Sequence, residues 1–232
     1  MKNSAYIKEI FSSIQGEGKY VGVRQIFIRF AGCNVNCKNC DTDYIAKSYF
    51  YCNNKRYKNP LSPSELEKII DENFKLNMYH SIALTGGEPL IHKDFLKEFL
   101  PLIKSKGVKI FLETSGILLD EIFEVEQYID IISVDLKIYE SFGVECDLKE
   151  IGKLVSLLDK VYFKIVISEN IDLEKMDKIL NYIKEMGVKE LYLHFINNKF
   201  NLRILDKILD LCYCYNIMGY FIPQIHKLVG IK

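Results

Sequence analysis

The sequence predicts an α/β fold, an incomplete TIM-type (β/α) barrel of about six parallel strands, open on one side. Two observations carry that reading. From Val108 onward, short apolar runs alternate with amphipathic runs of helical period, the pattern of parallel strands covered by helices. The polar and glycine-bearing clusters fall where the apolar runs stop, at the carboxyl ends of strands, where such folds collect their chemistry.

Residues 25–30 and 81–84 are short, nearly continuous apolar runs and read as strands. Between them a helix has a clean start. Ser62 can cap it, Pro63 fits the first helical position and Glu65 completes a capping box. Leu66, Ile69, Ile70 and Phe74 then recur at helical spacing. A second helix spans 94–104 and ends before Gly107. Strands at 108–112, 129–134, 161–167 and 190–195 follow, with helices at 118–127, 148–158, 173–186 and 202–214. Residues 43–59, rich in Tyr, Lys and Asn and without clear periodicity, read as an insertion in one domain spanning 1–232.

The chain has 232 residues, of which 49% are hydrophobic, enough to bury a sizeable core. Lys plus Arg number 31 and Asp plus Glu number 31, which argues against a nucleic-acid partner held by a general basic surface. A small anionic ligand remains compatible. No apolar run approaches the roughly 20 residues of a membrane helix, and residues 1–8 lack an apolar signal core. Seven cysteines are an odd number for a disulfide framework, so a reducing cytoplasm is the expected compartment, with no membrane partner.

Three of those cysteines, Cys33, Cys37 and Cys40, form a C-x3-C-x2-C run with no fourth nearby. Structural zinc is closed by four ligands, and ferredoxin-type clusters also take four cysteines. A cubane held by three thiolates leaves one iron open to a small molecule. A zinc knuckle short of a ligand, or three unrelated buried cysteines, are the other readings. Cys52, Cys146, Cys212 and Cys214 read as packing residues.

Other polar elements surround this run. Gln15-Gly16-Glu17-Gly18 precedes the first predicted strand, and is either a solvated turn or a place where backbone approaches a ligand. Arg29 stands inside an apolar strand and needs a partner, either a bound carboxylate or an internal salt bridge. Thr85-Gly86-Gly87-Glu88-Pro89 follows one strand, Glu113-Thr114-Ser115-Gly116 the next, and Ser133-Val134-Asp135-Leu136-Lys137 the one after. Glu88 could accept from a ligand ammonium, and Ser115, Ser133, Asp135 and Lys137 could either cap strand ends or bind a ribose or carboxylate. Lys164 either points inward to an anion or snorkels outward, and His194 reads as a buried, hydrogen-bonded ring facing the same mouth.

Assembled, these residues resemble the 7-carboxy-7-deazaguanine synthases, a family of radical S-adenosylmethionine (SAM) enzymes of 7-deazapurine biosynthesis. The resemblance runs from about Phe11 to the C-terminus. Its most specific parts are Ser12-Ser13-Ile14-Gln15-Gly16-Glu17-Gly18, Phe27-Ile28-Arg29-Phe30-Ala31-Gly32-Cys33-Asn34 and Cys37-Lys38-Asn39-Cys40-Asp41-Thr42. Glu113-Thr114-Ser115-Gly116 and Gln224-Ile225-His226-Lys227 add to it.

The resemblance implies a radical SAM core that converts 6-carboxy-5,6,7,8-tetrahydropterin to 7-carboxy-7-deazaguanine with loss of ammonia, a step shared by queuosine and archaeosine routes. It implies a [4Fe–4S] cluster on Cys33, Cys37 and Cys40, and Mg2+ on Thr42. It assigns SAM to Asn39, Gly86, Gly87, Glu88, Ser115, Ser133, Asp135 and Lys137. It assigns the pterin substrate to Ile14, Gln15, Gly16, Arg29 and Thr85, with a flavodoxin- or ferredoxin-type electron donor and a homodimer as partners. The terminal carboxylate of Lys232, a planar two-oxygen acceptor, either binds the adjacent N–H donors of the pterin's amino-pyrimidinone edge or belongs to a frayed tail. Two departures stand out. Asn39 occupies a place where the family often has an aromatic residue. Ser133-Val134-Asp135-Leu136-Lys137 replaces Ser-Pro-Lys and resembles an element of glycyl-radical activating enzymes, the competing enzymatic reading; a zinc-binding interaction module is the non-enzymatic one.

Overall fold

The computed structural model describes residues 3–40 and 43–231. Among these residues one ten-stranded sheet runs in the order β10-β9-β8-β7-β6-β5-β2-β1-β3-β4. The expected parallel strands are all present: β2 (Arg24–Phe30), β5 (Ser81–Gly86), β6 (Lys109–Thr114), β7 (Ile131–Asp135), β8 (Val161–Ile167) and β9 (Glu190–Phe195), paired in chain order. β10 (Met218–Phe221) adds a further parallel strand beside β9.

The other edge differs from expectation. β1 (Ile7–Ile14) pairs antiparallel with β2, and the 43–59 insertion folds into a hairpin, β3 (Tyr49–Cys52) and β4 (Lys55–Lys58), whose first strand pairs with β1. β3 buries Phe50 and Cys52 and exposes Tyr51, a period-2 pattern too short to stand out in the sequence.

The helices Pro63–Asn73, Lys93–Lys104, Leu173–Glu185 and Leu202–Cys214 form as the periodicity requires. The helices expected at 118–127 and 148–158 are broken. The first is two 3₁₀ turns, Leu119–Glu124 and Glu126–Tyr128, and the second is α-helical only over Leu148–Gly152, where Gly152 weakens its continuation into the 3₁₀ turn Lys153–Leu157.

Strand alternation sorts the side chains into two cores. Ile28, Leu84, Ile110, Leu112, Ile132, Val134, Ile165 and Leu193 face the helices. Phe27, Ala83, Phe111, Ile131, Tyr162 and Tyr192 face the barrel interior, with Phe11, Tyr20 and Ile222 packed against them. Phe11 stacks on Phe27 at 5.2 Å between ring centroids, and Tyr20 meets Phe111 edge-on at 5.8 Å. This apolar floor fixes what lies above it. Two residues further along each strand, on the same face, stand Arg29, Thr85, Glu113, Ser133, Lys164 and His194.

The start of Pro63–Asn73 has the capping box its sequence calls for: Glu65 N–H donates to Ser62 Oγ, and Ser62 N–H donates to Glu65 Oε2 at 2.8 Å. Ser62→Ala should lower unfolding stability by about 1 kcal/mol. The check is the midpoint of urea unfolding, which should fall while the slope stays unchanged.

Candidate active site

The loop after β2 carries the three thiols and is pinned on both sides. Glu88 N–H donates to Gly32 O at 3.0 Å and Gly87 N–H to Phe30 O at 3.0 Å, tying the loop to the turn that leaves β5. The approach is so close that a Cβ at Gly87 would lie 1.7 Å from Gly32 O, and Gly86 turns with φ +116°. On the far side Lys38 N–H donates to Phe142 O at 2.8 Å, and Asn39 Nδ2 donates to Ser141 O at 2.7 Å. The unusual Asn39 therefore ties the loop to the helix Tyr139–Phe142.

Cys33 and Cys37 are half-buried and Cys40 is exposed. Burial pushes the Cys33 and Cys37 thiols up, and Cys40 repels the ionised form of both. Each also feels a nearby carboxylate, Glu88 for Cys33 and Asp135 for Cys37, while Lys137 acts in the opposite sense on Cys37. Three thiols that repel one another as anions fit a cationic iron core, which would hold them as thiolates. All three line one open cleft of about 1320 Å³ at the carboxyl ends of the strands.

Next to the thiols lie the residues assigned to SAM. Asn39, Gly86, Gly87, Ser115, Asp135 and Lys137 line the cleft. Glu88 and Ser133 do not; both are fully buried behind its wall. The Glu88 carboxylate turns inward to bind the protein. Oε2 accepts from Ser115 N at 2.8 Å, Ser115 Oγ at 2.7 Å and Thr114 Oγ1 at 3.0 Å, and Oε1 accepts from Leu90 N at 3.2 Å. Burial pushes its pKa up and these donors pull it back. Glu88 thus fastens the β5 turn to the end of β6. Asp135 Oδ2 accepts from Lys137 Nζ at 2.6 Å, and the ammonium lies 3.8 Å from the Phe142 ring centroid. Asp135 Oδ1 is buried with no hydrogen-bond partner among the described residues, an acceptor that fits a bound ligand's donor.

The same cleft is lined by every described residue assigned to the pterin: Ile14, Gln15, Gly16, Arg29 and Thr85. Arg29 lines the cleft and also realises the internal salt bridge, Nε to Glu9 Oε1 at 3.1 Å. Gln15 Nε2 donates to Glu113 Oε1 at 3.0 Å, and Thr85 Oγ1 donates to Glu113 Oε2 at 2.7 Å. The C-terminal segment packs against Gly16: Ile225 N–H donates to Gly16 O at 3.1 Å, and a Cβ at Gly16 would meet His226 Nδ1 at 2.2 Å. Thr42 and Lys232 lie outside the described residues.

Glu17, Glu113, Lys164, Gln224 and His226, to which the resemblance assigned no ligand, also line the cleft. The signal for two of them was present: Glu113 and Lys164 stand two residues beyond Phe111 and Tyr162 of the interior floor. Lys164 points inward, its Nζ 2.7 Å from Glu17 Oε2. His194 is buried, and its Nε2 accepts from Gly18 N at 3.2 Å, which requires the neutral ring that burial also favours. Cys52 and Cys212 pack in the outer core as expected, but Cys214 is exposed. Cys146 is half-buried, its thiol pushed up to about 12 by burial, and its sulfur accepts from Lys137 N at 3.1 Å.

A partial parallel barrel with a three-thiol loop at its mouth defines a class, and the sequence profile described as the Radical SAM superfamily matches residues 27–212. This chain belongs to the radical SAM superfamily and, within it, to the 7-carboxy-7-deazaguanine synthase family. The 7-carboxy-7-deazaguanine synthase of Methanocaldococcus jannaschii is 36% identical over 97% of this chain and 99% of its own length. That of Archaeoglobus fulgidus is 33% identical over 98% and 99%. The crystal structure of QueE from Escherichia coli shares the fold with a TM-score of 0.62 at 22% identity, over 94% of this chain and 93% of that one.

Gly87→Ala tests the lock beneath the thiols. The added methyl must push the Gly32 carbonyl away, so iron bound per chain after anaerobic reconstitution should fall well below wild type. Iron and sulfide analysis reads it, and an undiminished iron content would show that the loop tolerates displacement.

Proposed function

We propose that this chain converts 6-carboxy-5,6,7,8-tetrahydropterin to 7-carboxy-7-deazaguanine and ammonia. It is a radical SAM enzyme of 7-deazapurine biosynthesis. The observation that carries the reading of the substrate is that Arg29, Gln15, Thr85 and Glu113 line the same cleft as the three thiols. Arg29 has the planar fork suited to a carboxylate. Gln15 offers both donor and acceptor, and Glu113 offers acceptors, to a flat amino-pyrimidinone.

Cys33, Cys37 and Cys40 would hold the [4Fe–4S] cluster, with SAM against Gly86, Gly87, Asn39, Ser115, Asp135 and Lys137 and with Glu88 and Ser133 supporting from behind. When bound, these groups would supply the radical chemistry that activates a substrate C–H bond. The protein's own part is placement. The Glu88 and Asn39 tethers hold the thiol loop, Gln15 and Thr85 fix Glu113, and the C-terminal segment limits access of water from the open side.

Thr42, next after the cluster loop, would place its hydroxyl on Mg2+, an ion that prefers oxygen ligands and retained waters. The exposed Cys40 side of the loop suits approach of a flavodoxin- or ferredoxin-type donor. We read residues 1–232 as one domain with 43–59 inserted in it, working as a homodimer in the cytoplasm. The odd number of cysteines and the three claimed by one motif suit a reducing compartment. Among the described residues no helix is long and apolar enough to cross a membrane.

Anaerobic turnover with the carboxy-tetrahydropterin, SAM, a reductant and Mg2+ tests the proposal. The expected product is lighter than the substrate by one ammonia; SAM cleavage without that product would contradict the substrate assigned. Thr42→Ala separates the metal from the rest. Product formation should fall and its Mg2+ dependence should shift to higher concentration, while SAM binding persists. Unchanged Mg2+ dependence removes Thr42 from the metal site.

A further inference from the structure

The barrel mouth holds an ion pair that the assigned ligand contacts leave unused. Lys164 Nζ lies 2.7 Å from Glu17 Oε2, with the two side chains 8% and 16% exposed. The other oxygen, Glu17 Oε1, accepts from Gln224 Nε2 at 2.6 Å. Gln224 is in turn held by Asn198, whose Oδ1 accepts from Gln224 N at 2.8 Å and whose Nδ2 donates to Gln224 O at 3.1 Å. Glu17 N–H donates to Gln15 Oε1 at 3.1 Å. The carboxylate is therefore held at both oxygens, and Glu17 lines the cleft beside Gln15 and Gly16.

We infer that Lys164 is a positioning residue for substrate recognition, holding Glu17 ionised and turned into the cleft as an acceptor for the pterin's N–H donors. This rests on the substrate reading above. Glu17 would otherwise be a poor anion, since burial alone raises a carboxyl pKa. Burial does oppose its ionisation, yet the charge and hydrogen bond of Lys164, with the hydrogen bond from Gln224, hold it well below the usual carboxylate range. Lys164 shows the complementary effect: burial opposes its charge, but Glu17, Asp135, Glu113 and Tyr162 raise its pKa well above the usual value. The nearby Lys137 is committed to Asp135. His194 is neutral, with burial pushing its pKa down.

The signs set the pH window. Glu17's depressed pKa contributes stability that is present above its unfolded value and lost as pH falls through the folded one. The raised pKa of Lys164 contributes stability present below its unfolded value and lost as pH rises through the folded one. The pair is thus intact throughout the neutral range, and Glu17 does not titrate there while Lys164 is present.

The test is steady-state turnover and equilibrium binding of the carboxy-tetrahydropterin by the reconstituted holoenzyme, for wild type, Lys164→Met, Lys164→Arg, Glu17→Gln and the double variant Lys164→Met/Glu17→Gln. Lys164→Met should raise KM and Kd for the pterin by roughly tenfold or more at neutral pH, with SAM affinity unchanged. Its Kd relative to wild type should improve between about pH 6 and pH 9, as the unpaired Glu17 ionises. Lys164→Arg should restore the wild-type pH profile. The double variant should bind the pterin no worse than Lys164→Met, because the second change removes a group already neutralised. It also replaces the buried carboxyl left without its partner, so it reads the coupling if Lys164→Met folds poorly. Wild-type pterin affinity in Lys164→Met, or a loss equal at every pH and additive with Glu17→Gln, would overturn the inference. A wild type that makes no product contradicts the substrate reading and this inference with it; a wild type that turns over beside an unaffected Lys164→Met contradicts this inference alone.

Discussion

Everything at the mouth of this barrel depends on one close backbone contact, the approach of Gly87 to Gly32. The Gly32 carbonyl accepts from Glu88 N–H at 3.0 Å, and no side chain of any size fits at 87. That contact joins the loop carrying Cys33, Cys37 and Cys40 to the turn leaving β5. The same turn sends the Glu88 carboxylate into the barrel wall, where Ser115 and Thr114 bind it. One constraint thus sets the thiols, the glycine turn and the end of β6 in a common frame. An enzyme that generates a radical gains from such rigidity, since the reacting atoms must meet in a narrow range of geometries.

The second organising feature is the layering of the barrel interior. An aromatic floor seals the bottom, and the next inward position on each strand is polar. The cations of that layer are paired within the protein, Arg29 with Glu9 and Lys164 with Glu17, and beyond it Lys137 pairs with Asp135. Glu113 is satisfied instead by neutral donors from Gln15 and Thr85. The cleft is therefore rich in acceptors held in place before a ligand arrives. That suits a substrate with a donor-rich ring edge.

Much of this was legible in the sequence. The parallel strands β2 and β5 to β9 were readable because strands buried on both faces are nearly continuously apolar. β1 was missed because Lys8, Glu9, Ser12 and Ser13 interrupt its apolar pattern, and Glu9 serves the barrel interior as the partner of Arg29. β10 is a four-residue edge strand with Met218 exposed, and the β3–β4 hairpin takes its place through pairing with β1 rather than through its own periodicity. The cleft's contact residues were legible wherever a motif is local, as with the thiols and the Thr85-Gly86-Gly87 turn. Pairings across the chain were not: 147 positions separate Glu17 from Lys164 and 207 separate Glu17 from Gln224. Nor does a sequence say which way a carboxylate turns, which is why Glu88 was expected in the cleft and stands behind it.

The central claim is that three thiols at the barrel mouth hold a cubane with one iron open to SAM. Electron paramagnetic resonance of the anaerobically reconstituted and reduced protein, recorded with and without SAM, tests it most directly. An open iron predicts a reduced [4Fe–4S] signal that shifts when SAM is added. A cluster signal indifferent to SAM, or tetrahedral zinc in place of iron, would contradict it.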